Sequence, residues 1–376
     1  MPELIATSRI PDILKRELPL LDVRAPVEFA RGAFAAAVNI PLLNDDERQQ
    51  VGVAYRQRGQ EAAVVLGHEL VKGELRAQRL AAWQSFCTQH PEGLLYCFRG
   101  GQRSTIVQQW LQQAGTVIPR IEGGYKAMRR VLIDTLEQQA ALDRFVVVAG
   151  KTGSAKTHLI RQLPVHIDLE GRAAHRGSAF GTLVSPQPNQ VNFENSVAID
   201  FLKLPLAQLR RIFIEDESHA IGSLSVPYSL YQRMGTSPIA LIEETLARRS
   251  EIIRHDYIED NFRQFQLTHP DRYPQLFSDY LLGSLAKIRK RLGGEAYDRI
   301  KTIMEKCLVA HLQLGDQQAH EQWIVALLRD YYDPMYEYQM RKKLPRVVFR
   351  GNRDEFLQWA GTMNEPVAER AAAGSA

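Results

Sequence analysis

The chain has 376 residues, enough for two hydrophobic cores, and its 24% charged and 45% apolar residues describe an ordinary globular protein. Its net charge of +4 leans toward anionic partners without demanding nucleic acid. The longest apolar runs, such as residues 145–149, fall far short of the roughly 20 residues of a spanning helix, and Met1-Pro-Glu-Leu4 lacks the basic start and apolar core of a secretory leader, so a cytoplasmic location without a membrane partner is expected.

In chain order, residues 20–23, 63–66, 94–97 and 117–118 read as short apolar strands between helix-like segments, the alternation of an α/β domain. A helical stretch over 131–143 leads into a second strand start at 145–149 and a glycine-bearing loop. The domain boundary is therefore placed near Gln139, giving domains 1–138 and 139–376. In the second, residues 165–168, 211–215 and 239–242 read as strands, 245–340 as mostly helical, and 346–349 as a late strand. The small-residue end, 371–376, is expected to fray.

Three cysteines occur, Cys87, Cys97 and Cys307, with no CxxC spacing, which argues against a disulfide framework and a structural zinc site. Cys87 and Cys307 lie in helical patterns and read as small core residues. Cys97 is different. It follows the apolar run Leu94-Leu95-Tyr96 and precedes an amphipathic helix over 104–113, so residues 97–103 form a strand-to-helix turn. Backbone N–H groups gathered there, with Arg99 and Arg103, suit an anion at the loop centre and favour a thiolate at Cys97. Gly100 and Gly101 let the backbone curl past Gln102 without a Cβ in the way.

Leu21-Asp-Val-Arg24, Glu28-Phe29, Gly32-Ala-Phe34, Val38-Asn-Ile-Pro41, the Cys97 loop and Gly123-Gly-Tyr125 stand in the order of a rhodanese domain, which this half resembles from end to end. The resemblance implies that Cys97 carries sulfane sulfur or selenium as a persulfide or perselenide. The spacing Cys97-x5-Arg103 also fits the cysteine-phosphatase loop, so the first half alone leaves chalcogen transfer and phosphate hydrolysis both open.

The second half begins with Gly150-Lys-Thr152-Gly153-Ser154-Ala155-Lys156-Thr157, which matches the phosphate-binding loop G-x-x-x-x-G-K-[ST] except that Ala155 stands at the second glycine. A strand before it and a helix-compatible segment, 157–163, after it supply the right context. Backbone amides and Lys156 would cradle a diphosphate, and Thr157 would reach a magnesium ion. A methyl group at residue 155 is expected to crowd the phosphate or alter the turn. The strand over 212–215 ends in three acids, of which Glu215 or Asp216 would serve on the metal side. Arg172, His175 and Arg176, after another strand, suit a second anionic group. His158, His166 and His175 lack metal-ligand spacing, so no metal held by protein groups alone is expected.

A rhodanese domain followed by this phosphate-loop half resembles the tRNA 2-selenouridine synthase family over nearly the whole chain. Gly67 in Val-Val-Leu-Gly-His-Glu-Leu70, residues 150–157 and 168–181, Gln187-Pro-Asn-Gln190, Phe193-Glu-Asn195 and Phe213-Ile-Glu-Asp-Glu-Ser218 carry the likeness, with Ala155 departing from it. It implies action on the wobble 2-thiouridine of tRNA: a geranyl group passes from geranyl diphosphate to the sulfur, and selenium from selenophosphate then replaces the S-geranyl group. The phosphate loop would hold the diphosphate, Cys97 would carry the selenium, and no tightly bound cofactor is implied beyond magnesium. Lys287-Ile-Arg-Lys-Arg291 and the run Tyr331-Tyr-Asp-Pro-Met-Tyr-Glu-Tyr338, continuing into Arg341-Lys-Lys343, mix cations with aromatics in the way RNA contacts require. Two rival readings remain: a sulfurtransferase or cysteine phosphatase with a regulatory nucleotide-binding module, and an RNA-binding adaptor without catalysis.

Overall fold

The computed structural model describes residues 3–205 and 211–363; the end expected to fray, 371–376, lies outside the described residues. The chain divides into one unit of Met1–Gln138 with Asn189–Lys203 and another of Gln139–Pro188 with Leu204–Ala376.

In the first unit, β1 (Leu4–Ile5), β2 (Leu20–Asp22), β3 (Ala37–Asn39), β4 (Leu94–Tyr96) and β5 (Arg120–Ile121) form a parallel sheet in the order β1-β5-β4-β2-β3. β2 and β4 are buried throughout because helices cover both faces of a parallel sheet, and this is why they read as short continuous apolar runs. Trp83, Phe86, Leu95, Val107, Trp110 and Leu111 fill the core.

Three expectations are corrected here. Residues 63–66 belong to the helix Asp45–Leu70, which breaks at Gly59 (φ +84°), and the strand expected at 117–118 instead begins at Arg120. The second domain does not run unbroken from 139, because the helix Gln190–Lys203 returns to the first unit. Its Phe193, Val197, Ala198 and Phe201 are buried. Asn195 donates to the carbonyl of Ala33 (2.9 Å), and Arg129 bonds both Asn195 (2.8 Å) and Glu194.

The second unit is built on β6 (Phe145–Gly150), β7 (His166–Ile167), β8 (Ile212–Glu215), the antiparallel hairpin β9 (Ala220–Ile221) and β10 (Leu224–Ser225), β11 (Ile239–Ile242) and β12 (Val347–Gly351). Its parallel sheet runs β12-β11-β6-β8-β7, with β6 buried along its whole length. From Leu246 the chain is mostly helical. These helices have a core of their own around Phe277, Leu281, Leu285, Met304, Trp323 and Leu327.

Candidate functional site

The first unit's candidate site starts where β4 ends. Cys97 is buried, with Sγ 3.2 Å from Ser104 Oγ and 3.8 Å from the carbonyl of Gly101. The helix Gln102–Gln113 begins immediately after the loop, as the sequence predicts. Close backbone approach shapes the turn: Tyr125 N–H donates to the carbonyl of Cys97 and Lys126 N–H to that of Phe98, each at 2.9 Å. Gly100 (φ +65°) and Gly124 (φ +53°) make this approach feasible, since a Cβ on Gly124 would stand 2.2 Å from the Cys97 carbonyl oxygen.

The two arginines of the loop divide. Arg103 is held by Glu28 at 2.5 and 3.0 Å, and Arg48 reaches the same carboxylate at 2.9 Å. Burial would raise the Glu28 carboxyl, but the bonds from Arg103 outweigh it and hold it below the usual range. Arg99 is exposed, its guanidinium 5.8 Å from the Phe98 ring. A cleft of about 1160 Å³ contains Cys97, Arg99, Gly101, Gln102 and Arg103 together with Arg31 and Arg56, so the thiol opens onto a cation-rich space. Beneath it, Arg24 is fully packed against the Asp22 carboxylate (2.6 and 2.8 Å) and the Tyr125 ring (3.9 Å) and serves as a strut.

In the second unit, the loop after β6 leads into the short helix Lys156–Ile160. Lys156 Nζ donates to the carbonyl of Gly150 at 3.0 Å, which folds the lysine back over its own loop. Close packing surrounds the glycines: a Cβ on Gly150 would stand 2.5 Å from Ser154 Oγ, and one on Gly153 (φ +83°) 2.8 Å from the carbonyl of Arg249. Thr152 is gripped from the helical region, where Arg249 donates to its carbonyl (3.2 Å) and pairs with Asp333 at 2.6 and 2.7 Å. Ala155 has φ 56° and ψ 32°, the left-handed conformation. The turn therefore keeps the backbone shape that the motif's glycine would supply, and the alanine absorbs the strain.

Acids cluster beside this loop. Thr157 Oγ1 donates to Glu170 Oε2 (2.7 Å), and Glu170 N–H donates to Glu215 Oε2 (3.0 Å). Glu215 is fully buried and its Oε1 has no partner. Burial first, then the neighbouring Glu170 and Asp168, pushes its carboxyl up to about 8. Glu170 and Glu217 are raised as well, by burial above all. Asp216 points elsewhere, with both oxygens on Lys343 Nζ at 2.6 and 2.7 Å. Sequence reasoning singled out Glu215 and Asp216 but missed Glu170 and Glu217. The available signals were a carboxylate just past the end of β7 and the third acid of the run 215–217.

Two of the three residues expected to form a second anion site share one cleft. His175 and Arg176 line the cleft of about 800 Å³ around the phosphate loop, but Arg172 is exposed outside that lining. His175 is buried and held below the usual histidine range by burial and by Lys287, which disfavours its charged form. Arg176 donates to Asn261 (3.0 Å) beside Asp260. His158, which showed no ligand spacing in sequence, lies 3.0 Å from Asp256, and Asp256, His255 and Asp260 bring ligand-type atoms within 4.8 Å of one another. Of the aromatic run, Tyr331 and Tyr332 are buried and Tyr338 is exposed; Arg291, Lys343 and Arg346 line the phosphate-loop cleft.

A parallel α/β unit with a phosphate-binding loop at the end of a buried strand, in a chain whose other unit holds a thiol in a cation-rich cleft, defines a phosphate-loop protein with a second, thiol-bearing unit. Residues 143–366 match the family model described as the tRNA 2-selenouridine synthase AAA domain. The chain is 45% identical to a tRNA 2-selenouridine synthase of Marinobacter nauticus, over 93% of this chain and 95% of that one. It is 47% identical to that of Serratia proteamaculans (94% and 95% covered) and 48% to that of Cupriavidus pinatubonensis (91% and 94%). The chain belongs to the tRNA 2-selenouridine synthase family.

Proposed function

We infer that this chain is an enzyme that places selenium in tRNA, converting wobble 2-thiouridine to 2-selenouridine. One observation carries the reading: a buried thiol opening onto a cationic cleft and a separate phosphate loop stand together in one chain 45–48% identical to synthases over more than nine-tenths of its length. The first unit acts as a rhodanese-like domain in which Cys97 meets the selenium of selenophosphate and helps deliver it to the base. That selenium, already at the selenide level, displaces geranyl thiol from the uridine, and water carries the phosphoryl group off as phosphate, with no change of oxidation state. The exposed Arg99, with Arg31 and Arg56, attracts the anionic donor, while Arg103 is kept in place by Glu28.

The phosphate loop takes geranyl diphosphate. Lys156 turns from the Gly150 carbonyl to the incoming diphosphate and stabilises the charge that grows on it as the geranyl group moves to sulfur. Thr157, Glu170 and Glu215 fit a magnesium ion: a buried carboxylate oxygen without a partner, beside carboxyls that burial and their mutual repulsion push up, is the donor set such an ion calls for. When bound, the ion neutralises diphosphate charge. In this reading the partners are tRNA, geranyl diphosphate and selenophosphate, and the reaction takes place in the cytoplasm.

The test is to incubate the protein with tRNA carrying 2-thiouridine, geranyl diphosphate and selenophosphate, digest to nucleosides and weigh the products. Geranylated and then selenated uridine are expected. If neither forms while free nucleotide is hydrolysed, the chain is instead a sulfurtransferase or phosphatase with a nucleotide-binding module.

A further inference from the structure

We propose that an apolar cavity beside the Cys97 cleft seats the geranyl chain of S-geranylated uridine during the selenium step; this rests on the synthase reading above. The cavity measures about 300 Å³, and its walls include Leu43, Val51, Ala63, Val64, Ile106 and Trp110. It adjoins the thiol cleft along a shared wall of Leu43, Val51, Tyr55, Gln102 and Arg103. The two spaces are chemically opposite. The cleft carries the guanidiniums of Arg31, Arg56 and Arg99, which suit selenophosphate and RNA phosphate but offer nothing to a hydrocarbon. A ten-carbon chain attached to a base held at the thiol would be left against charge and water unless an apolar space lay within reach.

Two helices make that space. One wall is the helix Asp45–Leu70, the segment whose apolar run 63–66 looks like a strand in sequence. Gly67 in this wall projects no side chain, and a Cβ there would find its nearest neighbour, Val51 Cγ2, only at 3.9 Å. The other wall is the helix Gln102–Gln113, which starts at the cysteine loop and brings Ile106 one turn and Trp110 two turns beyond Gln102. A chain lying on this wall is held close to the helix end that borders Cys97. The size also agrees: about 300 Å³ lies at the lower end of the roughly 300–1,000 Å³ of small-molecule pockets, the range that suits a short prenyl chain. In this scheme geranylation supplies a handle as well as a leaving group. The chain identifies the activated base to the thiol site, and unmodified 2-thiouridine lacks it.

The experiment uses the full-length protein and anticodon stem-loops bearing preformed S-methyl, S-prenyl (five-carbon), S-geranyl and S-farnesyl (fifteen-carbon) uridine, with selenophosphate. Each buried methylene is worth roughly a fourfold change in affinity. The KM for selenation should fall at least tenfold from S-methyl to S-geranyl and rise again for S-farnesyl, which outgrows the cavity. Ala63→Phe and Ile106→Trp, each filling the cavity from a different helix, should erase the preference for ten carbons. A KM independent of chain length in the unaltered protein overturns the proposal, and so do cavity-filled variants that melt normally yet keep the preference. If the unaltered protein selenates none of the S-alkyl substrates but still exchanges sulfur or hydrolyses nucleotide, the synthase reading itself falls, a distinct result from loss of chain-length dependence alone.

Discussion

Cys97 Sγ lies 3.2 Å from Ser104 Oγ, so a serine substituted for the cysteine keeps both volume and hydrogen-bonding capacity while removing the nucleophile. Cys97→Ser is expected to abolish selenium incorporation and leave geranylation intact, read by nucleoside mass analysis with each donor supplied separately. Ala155 permits a finer test. A left-handed alanine costs about 1–2 kcal/mol, whereas glycine gives back about 0.4–1 kcal/mol by loosening the unfolded chain. Ala155→Gly should therefore stabilise the second unit by about 0.5–1 kcal/mol in denaturant unfolding, with equal or tighter diphosphate binding. Glu215 sets a pH dependence. Its folded value of about 8 lies above its ordinary 4.5, so the folded chain keeps a proton that the unfolded chain releases; stability is full below 4.5 and declines as pH rises through about 8. Unfolding midpoints without magnesium should fall over that window, and Glu215→Gln should flatten the slope.

At the scale of elements, the helix Gly124–Ala141 starts against the cysteine loop, and Gly124 leaves no room for a side chain next to the Cys97 carbonyl. Gly124→Ala should displace the loop at a cost of about 1–3 kcal/mol and slow the selenium step while sparing geranylation. In the helical region, His320 accepts from Trp323 (2.9 Å) and faces His311 at 3.1 Å. Burial first, then His311, depresses His320 to about 3 from its ordinary 6.5, so its contribution is present above pH 6.5 and is lost as pH falls toward 3. Acid unfolding of the Gly294–Leu314 region, followed by tryptophan fluorescence, should begin below pH 6.5, and His320→Leu should move its onset to lower pH. Legibility also differed between elements. β6 was readable because six successive buried residues leave an apolar run directly before a phosphate-loop pattern, and the Cys97 turn because strand and helix flank it closely. Residues 63–66 misled because four apolar residues in a row carry no helical period. In the helix only Ala63 of these is buried, and Val65 is 63% exposed. Glu170 and Glu217 stayed hidden because distant segments meet around Glu170, which bonds Thr157 and faces Glu217, and local pattern does not encode that meeting.

At the scale of the whole molecule, the family, the α/β class and the helical C-terminal region were all legible, but the return of Gln190–Lys203 to the first unit was not: an amphipathic helix advertises a buried face without saying what covers it. Burying Phe193, Val197 and Phe201 is worth about 1.5–3 kcal/mol each, close to the whole margin of a typical domain. A fragment of residues 1–138 should therefore be unstable or aggregate, and fusing residues 189–203 to it through a flexible linker should restore a cooperative melt.

The same threading bears on the order of events at the ribosome. Domains usually fold as they emerge, the N-terminal one first. Here the first unit waits for its last helix, Gln190–Lys203, until the segment bearing the phosphate loop has already been translated. A nascent chain stalled anywhere between 138 and 203 presents this unit with the apolar surface that Phe193, Val197 and Phe201 later cover still bare, so for this protein synthesis itself passes through an interval in which chaperone capture competes with completion of the fold.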